Sequence, residues 1–244
     1  MMAGPFVAGV DGCPGGWLMV LRPLDDPSVA EVRLLRAFAD VLAVEPKPAM
    51  IAVDIPIGLP ERIGAGGRAA DVAARKVLGA RQSSVFSVPS RSAVMALDYP
   101  TACARSLATS EPQRRISKQA FNIFPKIREV DALMTPEVQA YVREVHPEVA
   151  FAALNGWCPL ELPKKVKSQP HAPGLASRRA LLARAGYRDG LFEVPFRRKD
   201  AGPDDVLDAA VNSWTAARLL RGEARCFPEQ PLVDARGLRC EIWG

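Results

Sequence analysis

The sequence predicts an α/β fold on a mixed five-stranded sheet whose first three strands run antiparallel. Three observations carry this. Three apolar runs near the N-terminus are joined by turns too short for a crossover. Two continuous apolar runs each close on an aspartate, at Asp11 and Asp54. Helical patterns separate and follow the later runs.

The first run, Phe6 to Asp11, meets the turn residues Gly12-Cys13-Pro14-Gly15-Gly16. Trp17 to Leu21 is the second strand. Asp25-Asp26-Pro27-Ser28 turns the chain into a third, Val29 to Leu35. Short turns force antiparallel neighbours, since a parallel pair needs a dozen or more connecting residues. Phe38 to Val44 reads as a short helix that crosses over to Met50–Asp54, an unbroken apolar run suited to a strand buried on both faces. Residues 56–67 are loop, Arg68 to Leu78 an amphipathic helix, and 82–92 loop-like. Residues 99–140 are helical pieces broken at Pro112, Pro125 and Pro136. Tyr141 to Val145 is the fifth strand, and Pro147 opens a helix to Leu154. Four prolines and three lysines (Lys164, Lys165 and Lys167) mark 156–173 as an exposed loop. Leu175 to Ala185 and Asp204 to Leu220 are helices ending at Gly186 and Gly222. The tail from Leu232 to Trp243 forms a hairpin turning at Arg236-Gly237.

This is the ribonuclease-H-like order. It is expected as a single domain over 1–244, with helical insertions around 79–140 and 156–200. Hydrophobic residues at 48% and charged residues at 24% support a packed core. The net charge of +5 admits phosphate-bearing partners, although many soluble proteins are as basic. Five scattered cysteines without a C-x-x-C pair, and only two histidines, argue against a disulfide framework and a structural zinc site. No signal peptide or bilayer-length apolar run is visible, so a cytoplasmic protein without a membrane partner is expected. The absence of G-x-S-x-G argues against a serine hydrolase.

Asp11 and Asp54 close two strands that this topology makes neighbours, at the point where strand order reverses and ligands bind. Two adjacent buried carboxylates repel, and a hard divalent cation relieves them. A turn role explains either aspartate alone; the matched pair favours function. On the last helix Asp205, Asp208, Asn212 and Thr215 share a polar stripe. Small alanines beside Asp208 would let that helix approach the sheet; a solvated face explains the stripe too. Asp204 belongs to the first turn, where an acid suits the helix dipole. Glu144 or Glu148 completes the cluster, with Glu148 preferred although an acid is expected there too. His146 precedes a proline and is read as structural.

At these residues the chain resembles a family of uncharacterised bacterial and archaeal proteins predicted to be nucleases of the ribonuclease-H fold. The resemblance rests on GVDGCPGGW (9–17), AVDIPIGLP (52–60), RAADVAARKVLGARQSSVFSVPSR (68–91), SKQAFNIFPKIREVD (117–131), EVHPEVAFAALNG (144–156) and DDVLDAAVNSWTAARL (204–219). The first, second and last also resemble Holliday-junction resolvases, whose acids bind two metals. Asp11, Asp205 and Asp208 match that pattern; Asp54 departs from it, because the resolvases carry a glutamate there.

The resemblance implies a metal-dependent phosphodiesterase acting on DNA or RNA with two Mg²⁺ or Mn²⁺ ions. Asp11 would bridge the ions, Asp54 and Glu148 would hold one, and Asp205 with Asp208 the other. Arg68, Arg75, Arg81, Arg91, Lys118, Lys126, Lys164 and Lys165 are the candidate phosphate contacts, each also explicable as solvated surface. Phe86 and Trp157 are candidates for base stacking, against a core role. A homodimer is admitted. Two other readings stand beside this one. An ATP-dependent phosphotransferase of the actin and sugar-kinase superfamily shares the sheet, but 244 residues leave little room for its second domain. A non-catalytic binding protein could retain the fold.

Overall fold

The computed structural model describes residues 4–167, 169–193, 196–197 and 199–244. The chain forms two compact units. The first comprises Met1–Asp54, Tyr141–Ala224 and Trp243–Gly244; the second comprises Ile55–Ala140 and Arg225–Ile242.

In chain order, the first unit begins with β1 (Phe6–Cys13), β2 (Gly16–Pro23), β3 (Glu31–Leu35), α1 (Phe38–Leu42) and β4 (Pro48–Asp54). The second unit contributes α2 (Ala69–Leu78), α3 (Arg91–Val94), α4 (Tyr99–Thr109), α5 (Lys118–Asn122), α6 (Phe124–Leu133) and α7 (Pro136–Gln139). The chain returns to the first unit with β5 (Val142–Glu144), α8 (Pro147–Leu154), β6 (Lys165–Val166), β7 (Gln169–Pro170), α9 (Ala172–Arg184) and α10 (Pro203–Arg221). β8 (Cys226–Val233) and β9 (Arg239–Trp243) pair as a terminal hairpin, whose first strand begins six residues before the expected Leu232.

The first unit holds a mixed five-stranded sheet in the order β3-β2-β1-β4-β5. β1 pairs antiparallel with β2, and β2 with β3. β1 and β4 are parallel neighbours, as are β4 and β5. β1 runs past Asp11 to Cys13, so the first turn is tighter than expected: Cys13 faces Gly16 across Pro14-Gly15.

α10 packs on this sheet, and Gly9 sets how closely. A Cβ at Gly9 would lie 2.0 Å from Ser213 N and 2.1 Å from the Ala209 oxygen. Strand and helix therefore meet backbone to backbone. Asn212 fastens the contact by donating its Nδ2 to the Val10 carbonyl at 3.0 Å. Around it, Leu18, Val20, Phe151, Leu182, Leu207 and Val211 form a buried apolar core. Gly222 ends α10 in the left-handed region at φ 72°, a conformation that costs glycine little.

Several local expectations need correction. Residues 79–84 form a 3₁₀ turn and 91–94 a short helix, where the composition of 82–92 predicts loop. The exposed loop at 156–173 instead contains the paired strands β6 and β7, and the α9 helix starts within it. The polar stripe of α10 is not a solvated face: Asp205, Asp208, Asn212 and Thr215 are all buried. Arg68, expected as the first residue of a helix, is instead the extended residue that precedes α2. Among the described residues, no helix is long and apolar enough to cross a membrane. All five cysteines are free.

Candidate functional site

Parallel register sets the first pair of acids. Asp11 on β1 lies directly beside Asp54 on β4. Residues in register on adjacent strands point to the same face, and residues two apart along a strand share it. Gly9 faces α10, so Asp11 does too, with Asp54 beside it. Glu144 is in register with Val53, one residue away from Asp54, and the pleat sends it to the opposite face. Glu148, not Glu144, therefore lies on the side of the acids. It acts electrostatically on both Asp54 and Asp208.

α10 supplies the remaining carboxylates. Pro203 sits in its first turn and Gly202 precedes it. Asp205 reaches back so that its Oδ2 accepts the Gly202 N–H at 2.8 Å, satisfying a donor that helix starts leave orphaned. Asp208, one turn further in, is 1% exposed. Its Oδ2 accepts from Lys164 Nζ, while its Oδ1 is buried without a hydrogen-bond partner among the described residues.

These acids feel one another. Burial, then the charges of Asp208, Asp54 and Asp205, raise the Asp11 carboxyl well above its ordinary range, against the pull of Lys164. Burial lifts Asp54 to about 6 and Asp208 to about 6, with Lys164 opposing both. Burial also raises Asp205, with the Gly202 N–H working the other way.

The cations are positioned by the segment before α9. Burial works against the Lys164 ammonium, but Asp208, Asp11 and Asp54 outweigh it and hold its pKa above the ordinary lysine value. Lys165 pairs with Asp204 at 2.6 Å. Both lysines, read from sequence as phosphate contacts, are thus engaged by acids of α10. Glu148 pairs with the fully buried Arg178 at 2.6 Å. Arg178 is fixed in turn by the carbonyls of Leu162 (3.0 Å) and Gly174 (2.8 Å) and lies over the Phe151 ring. His146 is the N-cap of α8, its Nδ1 accepting the Glu148 N–H at 3.2 Å, which gives it a structural role.

The other candidate cations belong to the second unit. Arg68 is buried on Asp71 (2.8 Å) and on the carbonyls of Ile57 and Gly58. Arg75 donates to the Val85 and Gly66 carbonyls and to Ser87 Oγ. Arg91 bridges Asp131 and Asp234, each at 2.7 Å. Arg81 is half-buried in the 3₁₀ turn, and Lys118 is exposed at the start of α5.

Sequence reasoning misses Arg178, although a signal is present. Leu175, Leu181 and Leu182 lie three and four residues away on the same helix, so Arg178 falls on their apolar face. A cation there needs a buried acid.

The donor set suits a hard divalent cation: it is all oxygen, it is buried, and Asp208 Oδ1 lacks a partner. As the side chains stand, no three His, Cys, Asp or Glu among the described residues are close enough together to hold an ion.

Fold and site together define a mixed α/β protein with a buried, lysine-compensated carboxylate cluster at the junction of β1, β4 and α10. The chain belongs to the family described as "Protein of unknown function (DUF429)", which it matches over residues 9–232. No curated protein and no solved structure matches it.

Proposed function

We propose that this protein is a divalent-metal-dependent phosphodiesterase acting on nucleic acid, with the acid cluster as its catalytic centre. One observation carries the reading. Asp11, Asp54, Asp205 and Asp208 converge in a buried region where Lys164 is the cation that reaches all of them. Glu148 and Asp204 are matched separately, by Arg178 and Lys165. Carboxylate therefore exceeds local cation, and a buried excess of one sign is costly unless an ion joins it. The strand order, with its antiparallel start and parallel β1-β4-β5, is compatible with a ribonuclease-H-like fold. That compatibility supports the reading by analogy only.

Asp11, Asp54, Asp205 and Asp208 would hold Mg²⁺ or Mn²⁺, which supplies Lewis acidity toward a phosphoryl oxygen and a more acidic bound water. The chain's own contributions follow from its contacts. Glu148, fixed by Arg178, adds negative charge beside Asp54 and Asp208. Asp205, held by the Gly202 N–H, keeps its carboxylate oriented. Lys164 holds Asp208 and must yield that oxygen for it to serve as a ligand.

The test is calorimetric titration with Mg²⁺ and Mn²⁺, joined to a cleavage screen over single-stranded, duplex and junction substrates. Saturable metal heat and cleavage in the wild type, both lost in Asp208→Asn, are expected. Equal cleavage by wild type and Asp208→Asn would overturn the assignment. A second reading has its own observation: Lys164 already sits among the acids, as it would in a non-catalytic protein retaining the fold. Absence of metal heat in the wild type would favour that reading.

A further inference from the structure

The net charge is unevenly placed. The segments of the first unit carry seventeen Lys and Arg against seventeen Asp and Glu; those of the second carry fifteen against ten. The whole excess of +5 therefore belongs to the second unit. Its interior cations do not supply that excess, since Arg68 is matched by Asp71, Arg91 by Asp131 and Asp234, and Arg239 by Glu241. Part of the surplus lies on half-buried arginines held by carbonyls, such as Arg75 and Arg128, and the rest on exposed residues.

Two of these, Arg114 and Arg115, are consecutive, exposed, and make no ion pair among the described residues. The loop that carries them is firmly held. Ser110 Oγ accepts the Arg114 N–H at 2.8 Å, and Ser106 Oγ donates to the Arg114 carbonyl at 2.7 Å. Tyr99 donates its hydroxyl to the Ile116 carbonyl at 2.9 Å. Both residues line a cleft of about 180 Å³ that is also lined by Phe86, Ser87 and Ser117. Its far wall is fixed as well, because Ser87 accepts from Arg75 at 2.9 Å. Burial holds Arg75 below the ordinary arginine range; the charge of Asp71 works the other way, and the smaller effect of Arg114 adds to burial. Like charges are thus brought together on a held framework, which an anion would relieve.

We propose that this cleft binds one nucleotide unit of a nucleic-acid strand, with Arg114 and Arg115 on a phosphate and the half-buried Phe86 beneath a base. Guanidinium forks suit phosphate oxygens, and aromatic faces accept any base. The cleft is smaller than the roughly 300–1,000 Å³ of pockets that enclose a whole small ligand, which suits one unit of a longer strand. The inference rests on the nucleic-acid reading above but does not use the acid cluster.

The experiment is fluorescence anisotropy of the full-length protein with a short labelled single-stranded oligonucleotide, in EDTA, across a salt series. Arg114→Ala/Arg115→Ala is expected to weaken binding about ten-fold or more and to lower the salt slope by roughly two, one for each arginine withdrawn from the backbone. Phe86→Ala is expected to weaken binding with the slope unchanged, as removal of a stacking ring does. Arg184→Ala/Arg188→Ala, which removes the same charge from the first unit, is the control and should change affinity less than about two-fold. Equal weakening in the two double variants would show that net charge alone is read and would overturn the proposal, as would absence of wild-type binding. Asp208→Asn separates the two hypotheses. If it binds like wild type in EDTA but does not cleave, both stand. If the wild type cleaves while Arg114→Ala/Arg115→Ala binds normally, the cleft fails and the phosphodiesterase reading survives.

Discussion

Two buried groups of charge, one in each unit, are built on opposite terms. In the second unit every buried acid of the arginine network has its cation: Asp71 holds Arg68, and Asp131 with Asp234 holds Arg91. Asp71 also accepts from the Val88 N–H, and Asp234 from the Leu59 and Leu238 N–H groups. In the first unit, four buried or half-buried aspartates share Lys164, and one oxygen of Asp208 has no hydrogen-bond partner among the described residues. Matched buried charge fixes loops to helices. Unmatched buried charge costs stability, and a structure that keeps it has a use for it.

Substitutions can break this contrast. The largest effect is expected from Asp71→Ala, because both partners of its ion pair are 1% exposed and Arg68 would be left buried and alone. A loss of about 3–5 kcal/mol is expected from urea unfolding. Asp208→Asn should do the reverse to stability, leaving it unchanged or raised, since it removes one of several repelling carboxylates. It should nevertheless lower metal-dependent cleavage by more than about 100-fold, beyond the loss usual for an outer-sphere partner. A stability loss in Asp208→Asn comparable to that in Asp71→Ala would erase the distinction.

Lys164→Met sharpens the contrast from the cation side. Removing the ammonium that competes for Asp208 should tighten Mn²⁺ binding by on the order of ten-fold in calorimetry, the scale of one screened charge pair. Weaker binding would instead make Lys164 a support of the metal form.

The smallest effect is a pH dependence of stability. Asp54 and Asp208 titrate near 6 in the folded protein, above the ordinary 3.8. Between those values the folded state binds more protons than the unfolded one, so stability falls as pH rises. The contribution is fully present below about 3.8 and is lost through about 6. Without metal, Tm should therefore rise on going from pH 7 to pH 5, and Mg²⁺ at pH 7 should recover part of the difference. A Tm that falls steadily from pH 7 to pH 5 would contradict the excess of carboxylate.

Much of the sheet is legible in the sequence because its signals are local. Apolar runs closing on Asp11 and Asp54, and turns of two to a few residues, determine strand neighbours without knowledge of distant contacts. Asp205 and Asp208 are legible from helical spacing. Their partners are not. Lys164 and Lys165 follow four residues of loop chemistry, Pro159 to Leu162, and a further proline, and nothing local says that the chain there turns inward to α10. Arg91 looks like a surface cation in the sequence because its acids, Asp131 and Asp234, are remote along the chain. The choice between Glu144 and Glu148 needs strand parity, which depends on the register of β5 against β4.

The contact at Gly9 bears on how this protein tolerates change. Because β1 and α10 touch through their main chains, the offset between Asp11 and Asp208 is fixed by peptide geometry rather than by the fit of neighbouring side chains. Volume-conserving exchanges farther along the same interface, such as leucine for methionine or isoleucine, are expected to leave the acids in place. A single methyl at position 9 would wedge the helix outward and spread them apart, so drift in the apolar interior and constancy at the centre are compatible in one and the same layer.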